Sequence, residues 1–292
     1  MAAIVSLIAG AAIGLTPPAS AADYYVGGGS CSDAGPGTLT TPYCTITAAL
    51  AAHHGAGTTL NVLPGVYREQ VTLPASGAAG SPLTLRALGA PDQPVVIDGA
   101  DDFSDPARWV EQSGDVWLAA TVTWSPVQVF VDGVRLTRSG AAPADLAPGS
   151  FVYVAGTGLY VNAGGNPGLR QAAVGHRAYG FYLAGRSWVT LDGFTITRNE
   201  DRGVELTGSS NVEVLHNVIS LAGRYGIQAS GCSAIGIRAN LVFVNGDHGI
   251  ALTAGSTGCT LEDNESFRNV FAAQRQANGI YLYNAPGNLI QR

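Results

Sequence analysis

The chain has 292 residues, of which 39 are glycine and only 12% are charged. A formal net charge of −6 argues against nucleic acid as a partner, because nucleic-acid binding calls for a basic surface. All 15 basic residues are arginine, which excludes any mechanism within this chain that needs a lysine base.

The N-terminus has the pattern of an export signal. Residues 2–15 form an apolar run that is too short to span a bilayer comfortably, and Ala19-Ser20-Ala21 provides a small-x-small cleavage motif. We therefore expect a signal peptide over residues 1–22, a secreted or periplasmic mature protein, and no membrane contact after cleavage. The positively charged segment that usually opens such a signal is missing, so a membrane-tethered N-terminus remains the alternative.

The next stretch predicts short strands and one helix. Within 45–54, the apolar residues Ile46, Ala49 and Leu50 fall on one face of a helix, and Gly55 follows its end. Such a helix would cover an open sheet edge, which otherwise invites aggregation. Strands are predicted at 24–26, 60–63, 71–73, 83–86 and 95–97.

The pattern changes between residues 101 and 177, where longer alternating strands are joined by tight turns. Asp132-Gly133 is a strong hairpin signal, and Gly156 and Gly158 mark a second turn. We interpret 101–177 as a small antiparallel β-domain inserted into the rest of the fold. Its role could be structural, or it could form one wall of a cleft.

From residue 178 onward the chain repeats. Five glycines recur at spacings of 23, 23, 23 and 30 residues, which indicates one structural unit used several times. Apolar residues alternate between the glycines, as in strands with one buried face, and the glycines are expected to form corners. Asn217, Asn240 and Asn264 recur at spacings of 23 and 24, so their amides could bond from coil to coil. The five glycines are Gly180, Gly203, Gly226, Gly249 and Gly279.

Strands this short bury their apolar faces only when successive coils stack, so the repeats predict a β-solenoid. Residues 23–100 and 178–292 resemble the right-handed parallel β-helix proteins of the pectate-lyase-like superfamily. The resemblance implies an all-β right-handed parallel β-helix with coils of about 23 residues, an N-terminal capping helix and the inserted domain. The expected segments are the signal at 1–22, the cap and first coils at 23–100, the insert at 101–177 and further coils at 178–292. The last unit stops in mid-coil, and we expect the protein to continue beyond it.

Four cysteines in an exported chain favour disulfides. Cys31 and Cys44 bracket a turn-rich loop and are the expected pair. Cys232 and Cys259 occupy similar corners of successive coils, so they could form a bridge or merely stack. None of the cysteine spacings is that of a metal site.

Stacked repeats bring equivalent residues about 4.8 Å apart, so the outward columns can be read from the alignment. One column holds Tyr182, Glu205, Gln228, Ala251 and Tyr281, and a second holds Tyr179, Arg202, Tyr225, His248 and Asn278. Asp201, Arg224 and Asp247 lie beside the second column. Acids, arginines and aromatic rings on one face suit a polysaccharide, although an ordinary solvated face has a similar composition. We expect Arg202, Arg224, Tyr225, Tyr182, Gln228 and Tyr281 to bind substrate.

Glycoside hydrolysis by two carboxylates is the first hypothesis for this face. Asp201 and Asp247 should lie about 9.5 Å apart across two coils, and Glu205 is an alternative partner. The segment from Gly246 to Leu252 is loosely similar to the Gly-His-Gly segment of polygalacturonases, which adds His248 as a catalytic candidate. The paired aspartates of that family would lie near Arg224 and are absent.

Two other functions stay open. In a pectate-lyase-like elimination, an arginine base would act with calcium, with Arg202 or Arg224 as the base and Asp201, Asp247 and Glu205 as oxygen ligands. A non-catalytic adhesin or stalk would bind polysaccharide without cleaving it. No cofactor is otherwise expected, and the protein should be a monomer. Acids near Glu262 have no basic partner in the alignment and are interpreted as a solvated corner.

Overall fold

A computed structural model gives the structure of residues 22–270 and 277–292. The predicted export signal lies outside these residues, apart from Ala22. Among the described residues, no helix is long and apolar enough to cross a membrane. The first elements are β1 (Ala22–Val26), α1 (Ile46–Ala52), β2 (Thr58–Val62), β3 (Gly65–Tyr67), β4 (Val71–Thr72), β5 (Leu83–Ala87) and β6 (Val95–Asp98).

The chain then leaves the coil and builds a second apolar core between Phe103 and Val174. Asp132 and Gly133, both with positive φ, close the predicted hairpin between Val131 and Val134, and the second predicted turn joins two antiparallel strands. The boundaries 101 and 177 remain a prediction. The strands are β7 (Ala100–Asp102), β8 (Val110–Ser113), β9 (Val116–Ala119), β10 (Val129–Val131), β11 (Val134–Arg135), β12 (Thr137–Arg138), β13 (Ser150–Val154), β14 (Gly158–Asn162) and β15 (Ala172–Gly175), with single 3₁₀ turns at Pro106–Arg108, Pro143–Asp145 and Pro167–Leu169.

Parallel coils resume after the insert, and each coil contains three strands. Each coil passes through three sheets, which together enclose an apolar core from Val26 to Leu261. The strands are β16 (Tyr179–Ala184), β17 (Ser187–Asp192), β18 (Thr195–Thr197), β19 (Arg202–Thr207), β20 (Ser210–Leu215), β21 (Val218–Ser220), β22 (Ile227–Ser230), β23 (Gly236–Arg238), β24 (Leu241–Phe243), β25 (Ile250–Thr253), β26 (Thr260–Glu262), β27 (Glu265–Phe267), β28 (Ile280–Tyr283) and β29 (Leu289–Gln291).

We number the sheets in the order in which a coil visits them. Sheet 1 has the order β4-β16-β19-β22-β25-β28, sheet 2 has β1-β2-β5-β17-β20-β23-β26-β29, and sheet 3 has β3-β6-β18-β21-β24-β27. The insert interrupts the turn from sheet 3 to sheet 1. The parallel β-helix expected from the repeats is therefore confirmed, and α1 packs against its first strands through Ile46, Ala49 and Leu50.

The repeated glycines do not adopt the left-handed backbone of a corner, contrary to the expectation, because none of the five has a positive φ. Gly180 and Gly203 lie within the strands of sheet 1, where the chains approach closely. A Cβ on Gly203 would lie 2.5 Å from Ile219 Cγ2 and 2.7 Å from the Gly226 carbonyl oxygen. Glycine recurs because no side chain fits between the strand and the core. The corners instead use left-handed residues, among them Trp188, Asn211 and Ala234 at φ 58°, 53° and 52°.

The asparagine ladder between sheets 2 and 3 is confirmed. Asn217 Nδ2 donates to Asn240 Oδ1 at 3.0 Å, and Asn240 Nδ2 donates to Asn264 Oδ1 at 2.9 Å. The same oxygens also accept backbone N–H groups, such as that of Asn217 at 2.9 Å. Each amide therefore satisfies buried backbone groups at a corner where the strand ladder is interrupted.

A second ladder, in the turn from sheet 3 to sheet 1, is broken at Ala222. Asn245 Nδ2 donates to Asn269 Oδ1, and Asn245 Oδ1 accepts the Ala222 N–H at 3.0 Å. One coil earlier, both side-chain polar atoms of the fully buried Asn199 lack a hydrogen-bond partner among the described residues. Alanine at position 222 offers no oxygen to Asn199, which explains the unpaired Nδ2.

We expect Ala222→Asn to raise the free energy of unfolding by about 1 kcal/mol, because it supplies the missing acceptor. Chemical denaturation of the wild type, A222N, N199A and the double variant would measure this. In the wild type, N199A should cost little, since the Asn199 side chain makes no hydrogen bond to the described residues. In the A222N background the same change should be costly. Equal effects in both backgrounds would contradict the proposed ladder.

Cys31 and Cys44 form the expected disulfide. Cys232 and Cys259 are both free and buried. The register places Cys232 beside Ser256 and Cys259 beside Ile235, so the two cysteines do not occupy equivalent positions of successive coils and form no bridge. Burial raises the pKa of each thiol, which keeps both in the unreactive protonated form.

Candidate active site

The expected polar column on sheet 1 is in register across five strands. Tyr182 pairs with Glu205, Glu205 with Gln228, Gln228 with Ala251 and Ala251 with Tyr281. Tyr281 therefore lies three strands from Glu205, at the far end of the column. Gln228 Nε2 donates to Thr253 Oγ1 at 3.2 Å, whereas its Oε1 is buried and accepts no hydrogen bond from the part of the chain that the structure describes.

The turn residues that lead into sheet 1 also stack. Arg224 N–H donates to the Asp201 carbonyl at 2.7 Å, and Asp247 N–H donates to the Arg224 carbonyl at 2.9 Å. Asp201 and Asp247 therefore lie two coils apart with Arg224 between them. The Arg224 guanidinium lies 3.9 Å from Asp201 Oδ1 and donates to the Tyr225 hydroxyl at 3.2 Å.

Arg202 is the centre of the cluster. Its Nη1 donates to Asp201 Oδ2 at 2.6 Å, and its Nε lies 3.0 Å from Glu205 Oε2 without the alignment of a hydrogen bond. Its guanidinium carbon also lies 5.8 Å and 5.5 Å from the ring centroids of Tyr179 and Tyr225, within the range of cation–π attraction. One arginine thus holds two carboxylates together, flanked by aromatic rings from two other coils.

Glu205 is the most enclosed acid of the cluster, with 5% of its surface exposed. Its Oε1 accepts a short hydrogen bond from the Thr207 hydroxyl. Burial raises the pKa of Glu205 above its ordinary value of 4.5, and the Thr207 hydrogen bond and the Arg202 charge act in the opposite direction. Because the raised pKa favours the protonated form, Glu205 has the character of a general acid.

The raised pKa of Glu205 has a consequence for stability. The folded protein retains this proton at pH values where the unfolded chain has released it, so this contribution to stability falls as pH rises above 4.5. Glu205→Gln should remove that loss. The denaturant midpoints of the two proteins, measured between about pH 4 and 7, should diverge. The variant should become more stable relative to the wild type as pH rises. Parallel curves would contradict the assignment.

His248 is held between two rings. The Tyr225 and Tyr281 centroids lie 5.4 Å and 4.0 Å from its ring centroid, and its Nδ1 accepts the Asn278 N–H at 3.0 Å. A neutral ring must therefore carry its proton on Nε2, which lies 3.6 Å from Asp247 Oδ1. Burial lowers the pKa of His248, so the ring is neutral at neutral pH and directs an N–H towards Asp247.

The insert packs against the turns that carry this cluster. Glu200 Oε1 accepts the Val127 N–H at 2.5 Å, and Gln128 Nε2 donates to the Asn199 carbonyl at 2.7 Å. One coil further, Arg135 donates to the Ala222 carbonyl at 3.2 Å. The insert therefore stands directly beside the turn that presents Asp201.

Sequence reasoning missed two features of the site and its surroundings. Thr207 was not a candidate, although its position two residues after Glu205 on one strand face was a usable signal. The solvated corner at Glu262 was a wrong interpretation. Arg238 and Glu262 are paired in register, with Arg238 Nε 3.3 Å from Glu262 Oε2.

The residues considered for calcium do not gather into a metal site. No group of three or more His, Cys, Asp or Glu side chains among residues 22–270 and 277–292 could hold a metal ion. Asp201 and Glu205 direct oxygens at the Arg202 guanidinium, and Asp247 lies two coils from Asp201. A cation would have to compete with this arginine, so the cluster does not fit calcium.

Comparison with known proteins shows the fold. The model of the family described as "right handed beta helix region" matches residues 132–292, which is more than half of the chain. None of the curated proteins matches the sequence.

Solved structures that resemble the chain share its architecture. A complex of XylC with xylose superposes with a TM-score of 0.60 at 16% identity, covering 92% of this chain and 65% of that one. A glycoside hydrolase superposes at 0.61 with 10% identity, covering 82% and 72%. The native GH136 lacto-N-biosidase from Eubacterium ramulus superposes at 0.51 with 13% identity, covering 83% and 40%. The chain thus spans less than two thirds of XylC and of the lacto-N-biosidase, and at these identities the likeness shows the fold alone.

Proposed function

The chain belongs to the right-handed β-helix family, and from this premise we propose that it is a secreted enzyme that hydrolyses glycosidic bonds in a polysaccharide bound across sheet 1. The scaffold by itself supports many activities, so the proposal depends on the residues of the site. Structural resemblance to a glycoside hydrolase and a lacto-N-biosidase and the disulfide, which is typical of oxidising compartments, are consistent with it.

The observation that carries the proposal is the pair of carboxylates on Arg202. Asp201 Oδ1 and Glu205 Oε2 are both buried and accept no hydrogen bond from the described residues, although each lies near an arginine, Arg224 at 3.9 Å and Arg202 at 3.0 Å. Buried oxygens that accept no hydrogen bond are costly, and glycoside hydrolysis requires two carboxyl groups that differ in protonation. Hydroxyl groups of a bound sugar could satisfy both oxygens, and the neighbouring tyrosine rings could stack on its apolar faces.

The two acids take different roles in this proposal. Glu205, with its raised pKa, gives its proton to the departing glycosidic oxygen. Asp201 lies on the turn, in contact with Arg202 and Arg224, and in this proposal it accepts a proton from the attacking water. The Arg202 guanidinium must move away from Glu205 before Glu205 can donate its proton to the substrate. During this movement, the 2.6 Å hydrogen bond to Asp201 keeps Arg202 in the site.

Hydrolysis is favoured over elimination because Arg202, the arginine at the centre of the cluster, is already engaged. A lyase needs an arginine with a free basic nitrogen, whereas Arg202 is paired with two carboxylates and stacked between two rings. Asp247 and His248 then support the next coil of the binding surface, with Tyr225 and Tyr281 enclosing the imidazole.

The test is digestion of a panel of plant, algal and animal polysaccharides, with reducing ends and absorbance near 235 nm followed together. New reducing ends without absorbance are the expected result, since hydrolysis leaves no unsaturated uronide. A parallel rise of both signals would overturn hydrolysis in favour of a lyase. Retention on a polysaccharide column without either signal would instead support a non-catalytic binding protein.

A further inference from the structure

A groove of about 440 Å³ crosses the outer surface of sheet 2, away from the proposed active site. Its lining begins at Pro82, continues along β17, β20 and β23, and ends at Thr260 on β26. It therefore runs across the strands and along the solenoid axis. The proposed active site lies on sheet 1, and the corner between each sheet 1 strand and the sheet 2 strand that follows it, such as that between Thr207 and Ser210, separates the two surfaces.

We propose that this groove is a separate binding site for a linear, neutral polysaccharide, with Trp188 as its stacking platform. Successive strands are about 4.8 Å apart, and rings of an extended pyranose chain recur at a similar distance. A chain along the groove would therefore meet equivalent side chains at successive rings. The volume lies within the usual range of small-molecule sites.

Trp188 is the first observation that points to a ligand. The indole is half-buried, lines the groove and lies outside the solenoid core. Its backbone has φ 58°, whereas the same corner holds Asn211, Ala234 and Gly258 in the following coils. A bulky residue in the left-handed region is strained, so the fold alone favours a smaller residue here. The aromatic ring is explained if it contacts a ligand.

The floor of the groove is the second observation. Gly236 is in register between Glu213 and Thr260, and a Cβ at this position would clash with the Glu213 and Arg238 side chains. The missing side chain thus lets an ion pair between Glu213 and Arg238 lie flat on the sheet. Glycine inside a strand often marks a place of close approach.

Charge selects the class of ligand. Arg238 is the cation among the described residues that line the groove, and it is paired with both Glu213 and Glu262. A uronate carboxyl would find no free positive charge and would face two glutamates. The side chains of Thr190, Asn211 and Thr260 make no hydrogen bond to the other described residues, so their polar groups are available to sugar hydroxyls. Neutral sugars suit this lining.

Affinity electrophoresis tests the proposal with gels that contain galactomannan, arabinoxylan, hydroxyethyl cellulose or polygalacturonate. All proteins carry Glu205→Gln, so that hydrolysis does not remove the probe. We expect retardation in at least one neutral gel, and a loss of about tenfold in affinity after Trp188→Asn, which corresponds to about 1.4 kcal/mol of lost stacking. Asparagine is chosen because Asn211 already occupies this corner conformation.

Tyr153→Ala, which removes a ring from the insert, is the matched control and should bind like the parent. Three results would overturn the proposal. The W188N protein could be retarded as strongly as its parent, retardation could occur in polygalacturonate alone, or no gel could retard the protein. W188N with Glu205 intact should cleave short soluble substrates at the wild-type rate. Failure of the groove proposal can thus be distinguished from failure of the proposed hydrolysis.

Discussion

Glu205→Gln is expected to lower kcat/KM for polysaccharide hydrolysis by roughly 10²–10⁴, with little change in fold. Glutamine keeps the size of the side chain but cannot transfer a proton to the departing oxygen. The loss should be much smaller for an aryl glycoside with a good leaving group, because that bond breaks without a proton from the protein. Initial rates on both substrates would measure the difference.

Glu265→Gln is the matched control for this variant, since Glu265 is an exposed glutamate on sheet 3. It should retain the wild-type rate on both substrates. Asp201→Asn should also be inactive, but a good leaving group should not restore its activity, because water activation rather than protonation is lost. An E205Q protein with close to wild-type turnover on polysaccharide would contradict the role of Glu205 as the acid.

Asn240→Ala is expected to lower the free energy of unfolding by on the order of 3 kcal/mol. Asn240 is 1% exposed, and its Oδ1 accepts both the backbone and the side-chain N–H of Asn217. Its Nδ2 donates to the Val214 carbonyl at 2.8 Å and to Asn264 Oδ1 at 2.9 Å. Alanine would leave several of these buried groups without partners, each at a cost of about 1–3 kcal/mol.

Asn211→Ala provides the comparison for N240A in urea or guanidinium denaturation. Asn211 shares its corner position with Ala234 of the next coil and has φ 53°, so alanine fits there and the cost should be below about 1 kcal/mol. Similar midpoints for N240A and N211A would show that the ladder contributes little. A broad transition for N240A would indicate that the coils unfold separately, as expected of repeat proteins.

The sheet 1 columns could be predicted from residue spacing because parallel coils place equivalent residues side by side. Tyr182, Glu205 and Gln228 are therefore in register as expected. The enclosure of Glu205 could not be predicted in this way. Alternation directs its side chain outward, but Arg202 and Thr207 close over it from the same strand.

The contacts between the insert and the coils also could not be predicted from the repeat pattern. Glu200 and Val127 are 73 residues apart, and no periodicity links them. The groove on sheet 2 could not be predicted from the sequence for a different reason. Gly236 interrupts a polar column, and its effect appears only when Arg238 and Glu213 fill the space that a side chain would have taken. Residue spacing locates columns, whereas depth and access depend on side-chain packing.

The most direct test of the central claim is a crystal structure of the E205Q protein with an oligosaccharide of the polymer that the wild type cleaves. The account predicts sugar rings across sheet 1, with a glycosidic oxygen within hydrogen-bond distance of residue 205 and a water beside Asp201. Oligosaccharide bound only in the Trp188 groove, with the Arg202 cluster unchanged, would contradict a catalytic site on sheet 1.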